Sequence, residues 1–386
     1  MATAVTKAGP YFASGSISFS ALRNTFRLNN PSGAISASEL RRNTDITNTD
    51  PIVPDSTENN SIASATDWEI SQMRNSIKYY YVTQTSTDSN LDLDALNWNS
   101  NLSKNIIKEL RVNGTIKSEN SSLKAAVLNA FAHNLTIDLG SSGKIQGGGG
   151  SGGTSGSISG ANGGDALQII NVGNNVKVDL QTGSEIYGGG GGGEYGATGS
   201  DGADGNSGTC WNYQTSTVGS GCGYCGDCTN LGSEWENYGG CSNQQNCNCN
   251  GWGWWYGCQS NVKSSAQCRK KVYTTIAGGA GGNGGAGGNG GNGRGYNQAQ
   301  SNGAGGSAGA NGTAWAGCGG YGGTGSSGTG GSQGNTGGNG GNGGNWGETG
   351  GNTSNSGSGG SAGAAITGSG YTVTGTINSS TLKGSY

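Results

Sequence analysis

Cysteine, a reactive side chain, is concentrated in one segment of this sequence of 386 residues. Nine of the ten cysteines lie between Cys210 and Cys268. Such density is typical of small domains held together by disulfides in an oxidising environment. With Cys318 the number is even, so we expect five disulfides, whose connectivity the sequence does not give. The expected disulfide cysteines are Cys210, Cys222, Cys225, Cys228, Cys241, Cys247, Cys249, Cys258, Cys268 and Cys318.

A zinc site is the alternative for part of this cluster. The spacing Cys222-x-x-Cys225-x-x-Cys228 could hold zinc through three thiolates. It matches no strong zinc signature, however, and the single histidine, His133, is distant in the sequence. We therefore predict disulfides and no metal or other cofactor.

Aromatic residues are concentrated in the same segment. Flat rings with a polar edge suit the binding of sugars and form hot spots in protein interfaces. Tryptophan that packs on disulfides as the core of a small domain is the equally weighted alternative. The candidate residues for binding a sugar or a protein are Trp252, Trp254, Trp255, Tyr256, Trp235 and Trp211.

Other kinds of chemistry have little support in this sequence. The net charge is −3 with no stripe of lysine or arginine, which argues against nucleic acid as a partner. There is one histidine and no serine-nucleophile motif, so we predict no catalytic residues and no enzyme. A glycan hydrolase that uses two carboxylates stays as a minor alternative. The start, MATAVTKAGPYF, lacks the apolar core of a secretory signal, although disulfides are typical of secreted proteins. A virion component is assembled in the cytosol and released by lysis, so it could reach an oxidising environment without such a signal.

Glycine dominates the elements that must position these residues. Only 5 of the 83 glycines lie in residues 1–140, and the run 278–295 repeats every three residues. That period fits a polyproline II helix, whose backbone must find hydrogen bonds in its neighbours. We predict a bundle of polyglycine II helices, against the alternative of a flexible linker. The glycine segments lie near 147–164, 188–208, 277–295, 302–313, 318–350 and 356–370.

A duplication precedes the glycine segments. The sequences LTIDLGSSGKIQGGGG and VKVDLQTGSEIYGGGG end at residues 150 and 191, an offset of 41. Apolar and polar residues alternate in both, as in half-buried strands. Each copy predicts a β-hairpin that leads into glycine, and a degenerate third copy lies at residues 371–377.

The N-terminal part has a different composition. A motif G-x-I-S-x-S-x-L-R occurs twice, at 15–23 and 33–41. Helical spacing of apolar residues after a capping box predicts a helix over 67–81. We therefore predict a small mixed α/β domain.

The predicted fold is mostly β and irregular, in four parts. Residues 1–120 form the α/β attachment or oligomerisation domain, and 121–207 form β-hairpin repeats with the first glycine runs. Residues 208–273 form an inserted module rich in cysteine and tryptophan. Residues 274–386 form the polyglycine II bundle with a C-terminal strand.

Two features of the chain resemble proteins of tailed phages. The pair ISFSALRNTF and ISASELRRNT, with DWEISQMRNSIKYY and WNSNLSKNIIKELRVNGT after it, is similar to motifs in structural proteins of marine tailed phages. The glycine-rich part resembles tail-fibre tip adhesins, in which packed polyglycine II helices carry receptor-binding loops. This sequence differs in having its own N-terminal domain and a cysteine-rich excursion.

The resemblance implies a virion adhesin of the tail fibre or tail tip, extracellular after lysis. Its partners would be a host outer-surface protein or glycan and, through residues 1–120, other tail proteins, with a homotrimer as the expected oligomer. A virion structural or decoration protein without host binding, and an ice-binding protein, are the alternatives.

Overall fold

The structure is a computed structural model. It describes residues 4–8, 21–22, 40, 53, 56, 59–62, 64, 70–73 and 79–386, the last range without 99, 105, 131, 133, 174–175, 220–227, 243–264 and 297. Two compact units comprise Met1–Thr198, Ala286–Ser307 and Gly337–Tyr386 in the first, and Gly199–Gly285 and Ala308–Thr336 in the second. None of the helices among the described residues is long and apolar enough to span a membrane.

The described elements are almost all strands, which confirms a mostly β fold. Short helical pieces lie at residues 21–22, Ile70–Met73 and Cys228–Leu231. The strands are β1 (Ala4–Ala8), β2 (Tyr79–Gln84), β3 (Thr87–Ser89), β4 (Leu91–Asp92), β5 (Ile107–Val112), β6 (Thr115–Lys117), β7 (Ala126–Leu128), β8 (Leu135–Leu139), β9 (Lys144–Gln146), β10 (Leu167–Ile169), β11 (Val176–Leu180), β12 (Glu185–Tyr187), β13 (Gly208–Gly219), β14 (Glu236–Ser242), β15 (Ser265–Ile276), β16 (Gly323–Ser326), β17 (Ile366–Gly368), β18 (Tyr371–Gly375) and β19 (Leu382–Lys383).

The first unit contains a parallel β-solenoid with three sheets. The sheet orders are β1-β2-β5-β8-β11-β18, β3-β6-β9-β12-β19 and β4-β7-β10-β17. Consecutive strands therefore go to different sheets, and each strand pairs in parallel with its equivalent one coil away. Among the strands of this unit that the structure describes, only β1 departs from this pattern, because it pairs antiparallel with β2.

Stacks of equivalent apolar residues fill the solenoid. Val112, Leu139 and Leu180 are register partners in adjacent coils. Each is at most 1% exposed, as inward-facing positions of a strand should be. A second stack runs from Ile116 through Ile145 and Ile186 to Leu382. The core is thus built by repetition of the same side-chain type at the same place in each coil.

The predicted β-hairpins are wrong. β8 and β9 lie in different sheets, and each pairs with the corresponding strand of the next copy, β11 or β12. The 41-residue offset is therefore the step from one coil to the next. The expected third copy is present as β18, which continues the sheet beside β11.

The helix predicted in the N-terminal part differs from the structure. Residues 70–73 form a 3-10 helix and β2 begins at Tyr79, so a continuous helix over 67–81 is not formed. The solenoid sheets combine strands from 79–117, 126–187 and 366–383. The boundary expected at residue 120 therefore falls inside one body. The G-x-I-S-x-S-x-L-R motifs lie mostly outside the described residues.

Glycine segments are inserted where the chain passes from the second to the third strand of a coil. In the first unit the N–H groups of Gly190, Gly193 and Gly196 donate to the carbonyls of Arg294, Gly291 and Gly288, at 2.8 Å each. The N–H groups of Gly288 and Gly291 in turn donate to Gly338 and Gly341. The bonds recur every third residue, as a helix with three residues per turn requires.

The second unit has the same lateral bonding. Gly199, Gly202 and Gly205 donate to Gly285, Gly282 and Gly279, at 2.7–2.8 Å. Those three acceptor glycines donate onward to residues 335, 332 and 329. The lateral amide pairing expected of the glycine segments is therefore present, and it replaces the internal hydrogen bonds that such a helix lacks.

Candidate functional site

The cysteine-rich module is built on an antiparallel sheet of the second unit, in the order β14-β15-β13-β16. β13 and β15 pair over twelve residues, from Gly208↔Ile276 to Gly219↔Ser265. Strand pairs of this length with alternating side chains present two distinct faces. Trp252, Trp254, Trp255 and Tyr256, four of the six predicted binding residues, lie outside the described residues.

One face of the sheet carries alternating aromatic and cationic side chains. Trp211 is the register partner of Tyr273, and Tyr213 is that of Lys271. The ammonium of Lys271 lies 4.5 Å from the ring centre of Trp211, and the guanidinium of Arg269 lies 4.1 Å from that of Tyr213. The rings of Trp211 and Tyr213 meet edge to face at 4.9 Å. We call these five residues the aromatic–cationic face.

Glycines of the neighbouring edge support the rings. A Cβ on Gly322 would lie 2.8 Å from the ring of Trp211, and one on Gly325 would lie 2.9 Å from the ring of Tyr273. The rings therefore lie against bare backbone, which fixes their orientation. Tyr273 is nevertheless 59% exposed, so much of its surface faces solvent.

Two disulfides stabilise the module. Cys210 of β13 is bonded to Cys318, and Cys228 is bonded to Cys268 of β15. Cys210 and Cys268 are completely buried. They alternate with Trp211 and Arg269 along their strands, so the disulfides lie on the face opposite to the aromatic–cationic face.

The remaining predicted disulfide cysteines are not described as side chains. Cys222, Cys225, Cys247, Cys249 and Cys258 lie outside the described residues, and only the backbone of Cys241 is described, in β14. Because Cys228 is in a disulfide, it does not serve as a zinc thiolate. In the described part of the chain, no cluster of three or more His, Cys, Asp or Glu is placed to hold a metal ion.

Trp235 and Trp211 occupy different environments. Trp235 packs with Val218 against the Cys228–Cys268 disulfide, and the ammonium of Lys270 lies 5.1 Å from its ring centre. Lys270 also forms an ion pair with Glu234 at 3.1 Å. The contacts of Trp235 are those of a small disulfide core, whereas Trp211 belongs to the aromatic–cationic face.

The sequence interpretation missed four of the five members of that face, namely Tyr213, Arg269, Lys271 and Tyr273. The sequence feature that indicates this face is the alternation in WNY at 211–213 and in RKKVY at 269–273. In two paired strands, such alternation places these side chains on one side of the sheet. The density of tryptophan instead favoured residues 252–256 as the binding residues.

Comparison with known proteins gives two similarities. Residues 78–316, more than half of the chain, match the model of a family described as phage tail fibre adhesin Gp38. The crystal structure of the gp37-gp38 adhesin tip complex of the bacteriophage S16 long tail fiber is similar over 83% of this chain and 86% of that chain, with 17% identity and a TM-score of 0.33. No curated protein matches the sequence.

Proposed function

This chain belongs to the family of the phage tail fibre adhesin Gp38, and on that premise we propose that it binds a host cell-surface receptor, protein or glycan, through the module of residues 208–273. The chain is a tail-fibre protein of the virion, and membership of an adhesin family implies a structural, non-enzymatic role. The binding residues we propose are Trp211 and Tyr273 of the aromatic–cationic face, with Trp252, Trp254, Trp255 and Tyr256 of the excursion. Trp235, which packs on a disulfide, supports the module instead.

The observation that carries this proposal is the aromatic–cationic face itself. Tyr and Trp bring large rigid contact areas, and the cations beside the rings of Trp211 and Tyr213 add polar contacts. Anchors of this kind supply most of the binding energy in interfaces that contain them. Two disulfides and supporting glycines hold the rings in place before a ligand arrives, which lowers the entropy cost of binding.

We further propose that the glycine segments are polyglycine II helices that act as a stiff scaffold for the module. Lateral hydrogen bonds at every third residue support this, since a flexible linker would leave those groups to water. Side chains at the third position of the repeat add to the bonding. Asp201 and Asp204 accept hydrogen bonds from the N–H groups of Gly284 and Gly281, at 2.8 and 2.7 Å.

Attachment is a separate proposal. We infer from the N-terminal motifs that residues 1–120 attach the chain to other tail proteins. The usual form of tail fibres favours a homotrimer, with a monomeric tip as the alternative. Chemical cross-linking of intact virions, followed by mass spectrometry, tests the attachment. Cross-links from residues 1–120 to another tail protein are expected, and cross-links confined to the rest of the chain would contradict the attachment role.

Adsorption of purified protein to host cells tests the receptor site. We expect Tyr273→Ala, and separately Trp254→Ala/Trp255→Ala, to weaken binding by about tenfold or more, the usual effect of removing an interface anchor. Tyr386→Ala is the matched control, because Tyr386 is an exposed aromatic residue outside the module. Circular dichroism checks that each variant is folded. Unchanged adsorption of both variants would place the receptor site elsewhere.

A further inference from the structure

A polar groove in the first unit is separate from the proposed receptor site. Its floor is the outer side of the sheet β3-β6-β9-β12-β19. Lys117, Gln146, Tyr187 and Lys383 are register partners in four adjacent strands and form one row across it. Neighbouring strands are about 4.8 Å apart. Gln146 and Tyr187, in the middle of the row, are each only 8% exposed, so the two lysines at its ends are the members that a ligand can reach.

The wall of the groove comes from the turn at residues 294–300 and from Trp346. The groove has a volume of about 810 Å³, within the range of small-ligand sites. Tyr187 and Trp346 meet with ring centres 5.6 Å apart, and Arg294 lies 5.8 Å from the ring centre of Trp346. Tyr187 is held from the other side, where its hydroxyl donates to the carbonyl of Ser380 at 2.6 Å.

Positive charge collects in this groove although the whole chain carries a net charge of −3. Lys144, Arg294 and Lys383 line it, and Lys117 stands at the end of the floor row, 3.9 Å from the carboxylate of Glu119. Among the described residues of the lining Glu185 is the single acidic one, and Lys144 and Gln146 both bind it, at 2.7 and 2.6 Å.

The other cations of the groove lie over rings. Lys383 is 4.8 Å from the ring centre of Tyr187, and Lys117 is 4.6 Å from that of Tyr296. A lysine ammonium has three N–H donors, and a ring beneath it takes only part of them, so the others can donate to a ligand. Tyr296 is 42% exposed, which leaves one apolar surface open beside the charges.

We propose that this groove binds a linear anionic saccharide that bears carboxylate or sulfate groups. Lys117 and Lys383 lie three strand spacings apart, about 14 Å, so anionic groups on separate sugars of one extended chain can reach both ends of the row. Lysine and arginine pair with the anionic groups, and the exposed ring of Tyr296 contacts a sugar ring. The inference does not depend on the module of residues 208–273, whose strands belong to the second unit.

Isothermal titration calorimetry on the full chain tests this proposal. The probes are tetragalacturonate and a heparin tetrasaccharide, compared with uncharged maltotetraose and inorganic phosphate. At least one anionic tetrasaccharide should bind with a dissociation constant below about 1 mM. Arg294→Gln/Lys383→Gln should weaken that binding by about tenfold or more, because it removes two charged donors.

Matched variants distinguish a loss of charge in the groove from a loss of folding and from an effect of the proposed receptor site. Lys124→Gln/Lys177→Gln removes two lysines elsewhere in the first unit and should bind normally. Arg294→Lys/Lys383→Arg keeps the charge and should restore binding. Trp254→Ala/Trp255→Ala should bind the saccharide like the unmodified chain, which keeps this test independent of receptor adsorption.

Four results would overturn the proposal. These are no binding of either anionic tetrasaccharide, undiminished binding by folded Arg294→Gln/Lys383→Gln, equal affinity for maltotetraose, or equal affinity for inorganic phosphate. Equal affinity for maltotetraose would show that charge is not recognised. Equal affinity for phosphate would indicate a site for small anions instead of a saccharide groove.

Discussion

Lys108 occupies a core position of the solenoid that its neighbours fill with apolar groups. Its register partners in the adjacent coils are Tyr80 and Leu135, and the side chain is completely buried. The ammonium donates hydrogen bonds to the carbonyls of Lys104 and Ile106, at 2.6 and 2.9 Å. Burial disfavours the charged form and lowers the pKa of Lys108 to about 7.

This lowered pKa predicts that stability rises with pH. Between pH 7 and 10.5 the unfolded chain holds the proton of Lys108 more tightly than the folded chain does, so deprotonation favours folding. The contribution of this residue should increase by up to about 1.4 kcal/mol per pH unit in that window and be constant below it. Lys108→Met should remove this part of the pH dependence.

Thermal unfolding at pH 7.0 and pH 9.0 measures the effect. Lys177→Gln, which changes an exposed lysine of β11, is the control. The difference in stability between Lys108→Met and the unmodified chain should shrink as the pH rises. A constant difference at both pH values would mean that Lys108 is neutral or fully charged across the range.

At the scale of single residues, the sequence showed which side chains the module concentrates but not what each of them contacts. Cys210 and Cys318 are separated by 108 positions, and nothing in their local sequence indicates that they pair. Trp211 and Trp235 look alike in sequence, yet one lies on bare glycine backbone and the other on a disulfide. Tertiary neighbours decide these roles, and they come from β16 and β15, which are distant in the chain.

Among the elements, the glycine segments depend on close contact between backbones. A Cβ placed on Gly284 would overlap the carbonyl oxygen of Gly199, whereas a Cβ on Gly319 would meet no atom within 4 Å. Gly284→Ala should therefore destabilise the second unit by about 2 kcal/mol or more, as overpacking does. Gly319→Ala should be nearly neutral. Chemical denaturation of the two variants makes the comparison, and equal stability would show that the segments are not closely packed.

The strands of the solenoid were predictable, but their pairing was not. Alternation in LTIDL and VKVDL correctly located β8 and β11, and Ile137 and Val178 are register partners. The same alternation is expected in a hairpin and in a solenoid coil, because both bury one face of each strand. β2, β5 and β8 begin 28 residues apart, but glycine inserted after β9 lengthens the next step to 41, which hides the repeat.

At the scale of the whole molecule, the two units are stabilised in different ways. The first unit is filled by stacked aliphatic side chains from five coils. Among the described residues of the second unit, a buried cluster consists of Cys228 and Cys268, with Val218 and Trp235 packed against it. A module with so little apolar material needs covalent links, and both disulfides of the described residues are in it.

Removal of the Cys210–Cys318 disulfide should therefore destabilise the second unit and leave the first unit unchanged. The bond closes a loop of 108 residues, and in the loop-entropy model its loss costs roughly 2–5 kcal/mol. Cys210→Ser/Cys318→Ser should speed hydrogen exchange in β13 and β15 and leave β8 and β11 unchanged, as read by mass spectrometry of peptides. Cys228→Ser/Cys268→Ser, which opens a loop of 40 residues, should have a smaller effect. If exchange in β13 and β15 stayed slow in both variants, packing of the glycine segments would be what stabilises the cysteine-rich module, and the disulfides would be dispensable to it.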